Sequence, residues 1–328
     1  MDKDCYISII APLRNDADIV AAFVEELTDV VGASYENYEL VLVDDGSSDD
    51  TVERVSELLT KHERIRLIRL SRPFGQEVAI AAGLDSVIGD FVVVMLPASD
   101  PPSLVPEMVE LARGGAETVY GIRRDRKTDP VFIRLGAKIF YWYCNRALKL
   151  DLPPNSTHLR VLSRRVVNAL VRIKERGRYL RTLGHHVGYL SQAFPYDLIQ
   201  RRNPPRTKGP FEAFQLALDI VVSNSRTPLR IVTWVGLLLA LSNLLYAGYW
   251  MGTAILGLAT PLGASQAVHV GIMFFFLFSI LAVSSEYLGR IVEAGQGRPL
   301  YYVLDEKTSS VLLMENGRKN IVSESAEH

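Results

Sequence analysis

Between Ile231 and Ser285 the chain carries no Asp, Glu, Lys or Arg. No water-facing helix surface is built from 55 consecutive uncharged positions, and a polar face is what a helix on the outside of a soluble domain needs. Only the Gly/Pro-containing stretch "GLATPLGASQAVH" interrupts the run. It divides the run into two apolar spans, residues 229 to 256 and 267 to 288. Each has the roughly 20 residues required to cross a hydrocarbon layer of about 30 Å. Backbone polar groups in that layer have to be satisfied within the segment, so both spans are predicted to be helices joined by a short turn. Basic residues lie outside the pair: Arg201, Arg202, Arg206, Lys208, Arg226 and Arg230 before it, Arg290 and Arg298 after it. The connecting loop has none, which places both termini on the cytoplasmic side.

Upstream of the first span, "PFEAFQLALDIVVSNSRTPLR" sets Phe211, Phe214, Leu218, Val221 and Val222 near one helical face, with basic residues at its flanks. This pattern predicts an amphipathic helix over 206 to 228, lying at the membrane interface or packing its apolar stripe on the globular domain. The expected organisation is a cytosolic domain over 1 to 205, this juxtamembrane helix, a transmembrane hairpin over 229 to 288 and a cytosolic tail over 289 to 328. The tail is read as polar and loosely ordered from Asp305 onward.

The first 120 residues alternate apolar runs with amphipathic periods. "YISIIAP", "YELVLVDDG", "IRLIRLS" and "DFVVVML" read as strands; "DADIVAAFVEELTDVVGAS", "SDDTVERVSELLTKH" and "QEVAIAAGLDSV" read as the helices between them. Strictly alternating strands and helices predict an α/β doubly wound sheet. Ser48 or Asp49 is placed to cap the second helix. The first apolar run is too short for a signal peptide and ends at a proline, as a first strand does. Cys5 and Cys144 are the only cysteines, too few and too far apart for a disulfide framework or a metal site. Lys and Arg total 36 against 37 Asp and Glu, so there is no basic excess to bind nucleic acid.

In an open α/β sheet, ligands bind beyond the carboxyl ends of the strands. The residues that follow the apolar runs are therefore the informative ones: Pro12 to Asp16, Asp44-Asp45-Gly46-Ser47, Ser71 to Gly75, and Pro97 to Asp100. Asp44 and Asp45 can accept hydrogen bonds from a base or ribose, and can equally belong to a helix-capping turn. There is no Gly-rich phosphate loop of the P-loop or dinucleotide kind. His185-His186 is an adjacent pair whose side chains diverge on a helix, so it is read as packing rather than as metal ligation. Phe140, Tyr141, Trp142 and Tyr143 are read as a packing cluster.

With these residues in view, "ISIIAPLRND", "ELVLVDDGSSDDT", "RLSRPFGQEVAIAAGLDSVIGDFVVV", "DPPSLVPEMV", "VYGIRRDR", "PPNSTHLRVLSRRVVNAL" and "EYLGRIVEAGQGRPLYYV" resemble the membrane-bound family 2 glycosyltransferases. The likeness is to the GT-A enzymes that load a sugar onto a polyprenyl phosphate, relatives of dolichol-phosphate mannose synthase and the bactoprenol glucosyltransferases, and it covers nearly the whole chain. It implies a GT-A domain that binds a nucleotide sugar through Pro12, Asp16, Asp44 and Asp45. It implies catalytic roles for Asp100, Arg123, Arg124, His158 and Arg160, and contact with the lipid phosphate by Arg126, Arg202 and Lys208. Arginine's planar fork suits phosphate oxygens. The partners implied are a nucleotide sugar, a polyprenyl phosphate and the lipid bilayer, with a homo-oligomer such as a tetramer, or a complex with an active paralogue. The setting implied is a two-span protein of a bacterial inner membrane.

The resemblance also implies Mg2+ or Mn2+ on an acidic D-x-D motif after the fourth strand, where hard oxygen ligands hold the ion against the diphosphate. Here the loop reads Leu96-Pro97-Ala98-Ser99-Asp100-Pro101-Pro102, and only Asp100, before the two prolines, supplies a carboxylate. No residue is assigned as a metal ligand. Pro73 and Gln76 stand where Asn and Lys are usual, His158 where an acid precedes "FR", and Gly209 where an aromatic follows Lys208. Two readings follow: a transferase in which Arg123, Arg124, His158 and Arg160 form a cationic clamp on the leaving diphosphate, or an impaired pseudoglycosyltransferase serving as a membrane scaffold or regulatory partner. The chain lacks the "QxxRW" motif of processive synthases.

Overall fold

The computed structural model describes residues 5–124, 155–172, 190–202, 227–256, 263–295 and 299–309. The chain divides into two compact units, Met1–Glu212 with Pro299–His328, and Ala213–Arg298. Arg126, Lys208, the 140–143 aromatic cluster, His185-His186 and all but the last residues of the juxtamembrane helix lie outside the described residues.

The first unit is built on β1 (Ile7–Leu13), α1 (Val20–Ser34), β2 (Tyr38–Asp44), α2 (Thr51–Lys61), β3 (Ile65–Leu70), α3 (Gln76–Ser86) and β4 (Phe91–Val94). These are the seven elements expected from the apolar periodicity, in the expected order. They are followed by α4 (Val105–Arg113), β5 (Thr118–Arg123), β6 (Ser156–Ser163), α5 (Arg164–Arg172), β7 (Ser191–Tyr196) and β8 (Val303–Thr308).

All eight strands form one sheet, in the order β7-β5-β6-β4-β1-β2-β3-β8. β4, β1, β2 and β3 are mutually parallel, β5 and β7 are parallel, and β6 and β8 run antiparallel to their neighbours. The sheet is therefore mixed, which corrects the doubly wound reading in part. The chain enters β6 between β4 and β5 from the opposite end, and a strand inserted in that direction can only pair antiparallel.

Strand alternation produces two cores. Ile7, Ile9, Ala11 and Leu13 of β1 face α1, α2 and α4, whereas Ile10 faces α3 and α5. The stretch expected to be a polar tail contributes β8 instead, which pairs with β3 from Arg66↔Thr308 to Leu70↔Val303. Charge pairing explains how so exposed a strand is held. Arg66 bridges Glu306 (2.6 Å) and the fully buried Glu39 (3.2 Å), which also accepts the Ser8 hydroxyl. Arg69 pairs with Asp305 at 3.3 Å.

The second unit contains α6 (Thr227–Ile255) and α7 (Gly263–Gly295). Within α7, Ile272–Gly289 is long and apolar enough to cross a membrane; in α6 the corresponding apolar stretch is the shorter Val232–Tyr246. Exposed Trp234, Leu237, Leu238, Phe275 and Phe278 cover these helices. The Tyr246 and His269 rings stack at 3.8 Å, and His269 Nε2 lies 3.3 Å from Asn243 Oδ1, joining the two helices.

Candidate functional site

Because β1 to β5 and β7 share one direction, their carboxyl ends and the amino end of β6 lie along one edge of the sheet. The loops after β1, β2, β3 and β4 meet there, and the carboxylates singled out from sequence hold these loops together.

Asp45 Oδ1 accepts the Phe74 N–H (2.6 Å) and Oδ2 the Gly75 N–H (2.9 Å), so the β2 loop fixes the β3–α3 turn. Burial pushes the Asp45 carboxyl above its ordinary range, opposed by those two N–H groups and by Arg14. Gly46, at φ +65, lies so close to this turn that a Cβ there would sit 2.7 Å from the Pro73 nitrogen. Asp44, 2 % exposed, accepts the Ser47 N–H at 3.3 Å; burial raises it too, opposed by Ser47. Asp49, rather than Ser48, takes the Thr51 N–H (3.1 Å) at the start of α2. Thr51 Oγ1 in turn accepts the Asp16 N–H at 2.8 Å.

Asp16 accepts the Arg14 N–H on Oδ2 and Arg202 Nη2 on Oδ1, both at 2.8 Å. Arg202 also donates to Asp18 (2.6 Å) and to the Asn15 carbonyl (2.8 Å). The guanidinium expected to face a lipid phosphate is thus engaged by two carboxylates of the first loop. Pro12 is buried in β1.

The loop after β4 is closed on itself and capped by Asp100. The Leu96 carbonyl accepts the Ser99 and Asp100 N–H groups. Asp100 Oδ2 accepts the Leu96 N–H (2.7 Å), while Oδ1 accepts the Tyr196 hydroxyl (2.7 Å) and the Ser99 hydroxyl (3.3 Å). The Tyr196 oxygen lies 2.9 Å from Thr157 Oγ1 on β6. Complete burial pushes the Asp100 pKa up to about 6, against the lowering effect of those three donors and of Arg201.

Of the four cationic side chains expected to clamp a diphosphate, Arg123 and Arg124 end β5 on this edge. Arg124 is exposed and 3.5 Å from Asp197. His158 Nε2 lies 2.9 Å from Glu77 Oε1 in the first turn of α3. Arg160 is 1 % exposed on β6, paired in register with Tyr120 of β5 and with Val94, the last residue of β4. Tyr196, Arg201 and Glu77 also belong to the site, and sequence alone does not reveal them, because their partners Asp100, Pro97 and His158 are distant in the chain.

A divalent ion has no ready ligand set here. The Leu96–Ser99 side chains offer one hydroxyl, both Asp100 oxygens are engaged, and among the described residues no group of three or more His, Cys, Asp or Glu is placed to hold a metal. The described residues do not fit the ion that the resemblance implies.

Residues 8–171 match the family model described as "Glycosyl transferase family 2". The chain belongs to this family. It is 33 % identical to an uncharacterized glycosyltransferase of Synechocystis over 301 residues, covering 91 % of this chain and 95 % of that protein. It is 28 % identical to a bactoprenol glucosyl transferase of Shigella phage SfV, over 92 % of this chain and 99 % of that one. It is also 28 % identical to an undecaprenyl-phosphate 4-deoxy-4-formamido-L-arabinose transferase of Pectobacterium carotovorum, with 93 % and 94 % covered. Matches of this length run through α6 and α7, well past the part of the chain that the family model matches.

Proposed function

We propose that this family 2 glycosyltransferase moves a sugar from a nucleotide-sugar donor to a polyprenyl phosphate at the cytoplasmic face of a membrane. The observation that carries the reading is the end-to-end similarity to a bactoprenol glucosyl transferase, apolar helices included. The α/β unit takes the GT-A role, and α6 and α7 form the two-span hairpin that brings the lipid acceptor within reach. Val232–Tyr246 of α6 carries no charged residue and Ile272–Gly289 of α7 carries one, Glu286, near its end, which supports the assignment.

In the reaction, an acceptor phosphate oxygen forms a bond to the sugar's anomeric carbon as the bond from that carbon to the nucleoside diphosphate breaks. A phosphate monoester with a second pKa of about 6 is mostly dianionic at neutral pH, so no general base is required. The loops framed by Pro12, Asp16, Asp44 and Asp45 form the donor side of the site. Negative charge develops on the leaving diphosphate, and we assign Arg123 and Arg124, at the same sheet edge, to meet it. Preorganised cations in a site that excludes water are worth several kcal/mol, on the order of 3 for one well-placed donor.

The test incubates the purified full-length chain with undecaprenyl phosphate and labelled UDP-glucose, UDP-N-acetylglucosamine or GDP-mannose, with EDTA or with Mn2+. Formation of a lipid-linked sugar is expected, and its survival in EDTA would agree with the donor set. Failure to form the product from any donor, with metal present, overturns the proposal.

A further inference from the structure

The loop Leu96–Asp100 follows β4, where the donor diphosphate lies if the proposed function holds. Its Asp100 side chain caps the Leu96 N–H, which leaves the loop's later carbonyls to be met from outside. Its four carbonyls from Pro97 to Asp100 are all taken by one short segment after β7. Arg201 Nη1 donates to the Pro97 carbonyl (2.7 Å) and to the Asp100 carbonyl (2.9 Å). The Arg201 N–H donates to the Ala98 carbonyl (3.2 Å), and the Ile199 N–H to the Ser99 carbonyl (3.0 Å). Arg201 thus supplies three of the four bonds.

The guanidinium is itself fixed. Nη2 is paired with Glu26 of α1, the group lies 5.4 Å from the centre of the Phe23 ring, and the side chain is 11 % exposed. A planar fork that spans two carbonyls and a carboxylate cannot be reproduced by a lysine, which offers a compact charge on a flexible stem.

We infer that Arg201 is a positioning residue for the donor loop, holding Pro97–Asp100 in one conformation for the nucleotide sugar. This rests on the proposed function for its kinetic consequence, but not for its structural one. The cation satisfies carbonyls that a loop this short cannot satisfy alone, and it is anchored on α1 through Glu26. Neighbouring Arg202 ties the same segment to Asp16 and Asp18, so the loops after β1 and β4 share one fastening.

The experiment compares full-length wild type, Arg201→Ala, Arg201→Lys and Val55→Ala, the last a core truncation in α2 remote from the loop. Amide exchange over residues 95–101 is measured for each, together with KM and kcat for whichever of UDP-glucose, UDP-N-acetylglucosamine or GDP-mannose the wild type uses. Arg201→Ala is expected to speed exchange at Ser99 and Asp100 about tenfold and to raise the donor KM about tenfold, with kcat within about threefold, as loss of fixed hydrogen bonds to a binding loop requires. Arg201→Lys is expected to recover part of both. Val55→Ala is expected to lower the melting temperature and move neither. Unchanged loop exchange in Arg201→Ala, or an equal change in Val55→Ala, overturns the inference. A wild type that uses none of the donors removes the functional reading, while the exchange measurement still decides whether Arg201 holds the loop.

Discussion

The Tyr196 hydroxyl donates a 2.7 Å hydrogen bond to Asp100 Oδ1, linking the end of β7 to the loop after β4 across 96 residues of sequence. Asp100 is wholly buried, and this bond is one of three that keep its carboxyl from standing unsatisfied.

Burial has raised the Asp100 pKa from 3.8 to about 6. The folded chain therefore binds this proton more tightly than the unfolded chain. The stability due to the group is fully present below about pH 4 and is lost as pH rises through 6, a change on the order of 3 kcal/mol. Asp100→Asn removes the titration. The stability difference between wild type and variant, from denaturant unfolding at a series of pH values, is expected to shift against the wild type between pH 4 and pH 7. A difference that is flat across that window would show that Asp100 does not titrate in this way.

Tyr196→Phe deletes a donor to a buried carboxylate and a neighbour of Thr157. It is expected to destabilise the chain by about 1–3 kcal/mol. It is also expected to raise the Asp100 midpoint further, because one of the groups lowering it is gone. Both quantities come from repeating the pH series on this variant, and an unchanged midpoint would count against the assigned bond.

Gly46→Ala places a methyl group 2.7 Å from the Pro73 nitrogen and 2.8 Å from the Arg72 carbonyl carbon, with φ at +65. Backbone cannot yield as a flexible side chain would. The positive φ and the overpacking together are expected to cost about 2–4 kcal/mol. The expected signature is a lowered melting temperature with faster amide exchange at Phe74 and Gly75, the two N–H groups held by Asp45.

Arg66→Met leaves Glu39 buried without its cationic partner and releases Glu306. The expected loss is about 3–5 kcal/mol, as for breaking a buried ion pair, whereas Glu306→Ala at the exposed end should cost under about 1 kcal/mol. Limited proteolysis should cut Arg66→Met within residues 299–309 well before wild type. Equal resistance would mean that backbone pairing alone holds β8.

Much of the fold is legible in local pattern because the information is local. "YISIIAP" and "YELVLVDDG" declare buried strands through continuous apolar runs, and the helices between them declare themselves by their period. The positions of Asp44, Asp45 and Asp100 at the sheet edge follow from where those runs stop. Their partners do not, because a backbone N–H such as that of Phe74 or Leu96 has no signature in sequence.

The order of strands and helices through β4, the long uncharged stretch and the family were determined by the sequence itself, since periodicity and motif are properties of the chain read in line. Tertiary structure alone decided that β6 runs against its neighbours, that the residues after the apolar helices return as β8, and that Arg201 and Arg202 grip the loops after β4 and β1. Each of these depends on contacts between residues far apart in the chain, from Ile122 with Ser156 to Arg66 with Thr308. An arginine's affinity for carbonyls and carboxylates is the same wherever it occurs, so only the folded chain selects which of them it meets.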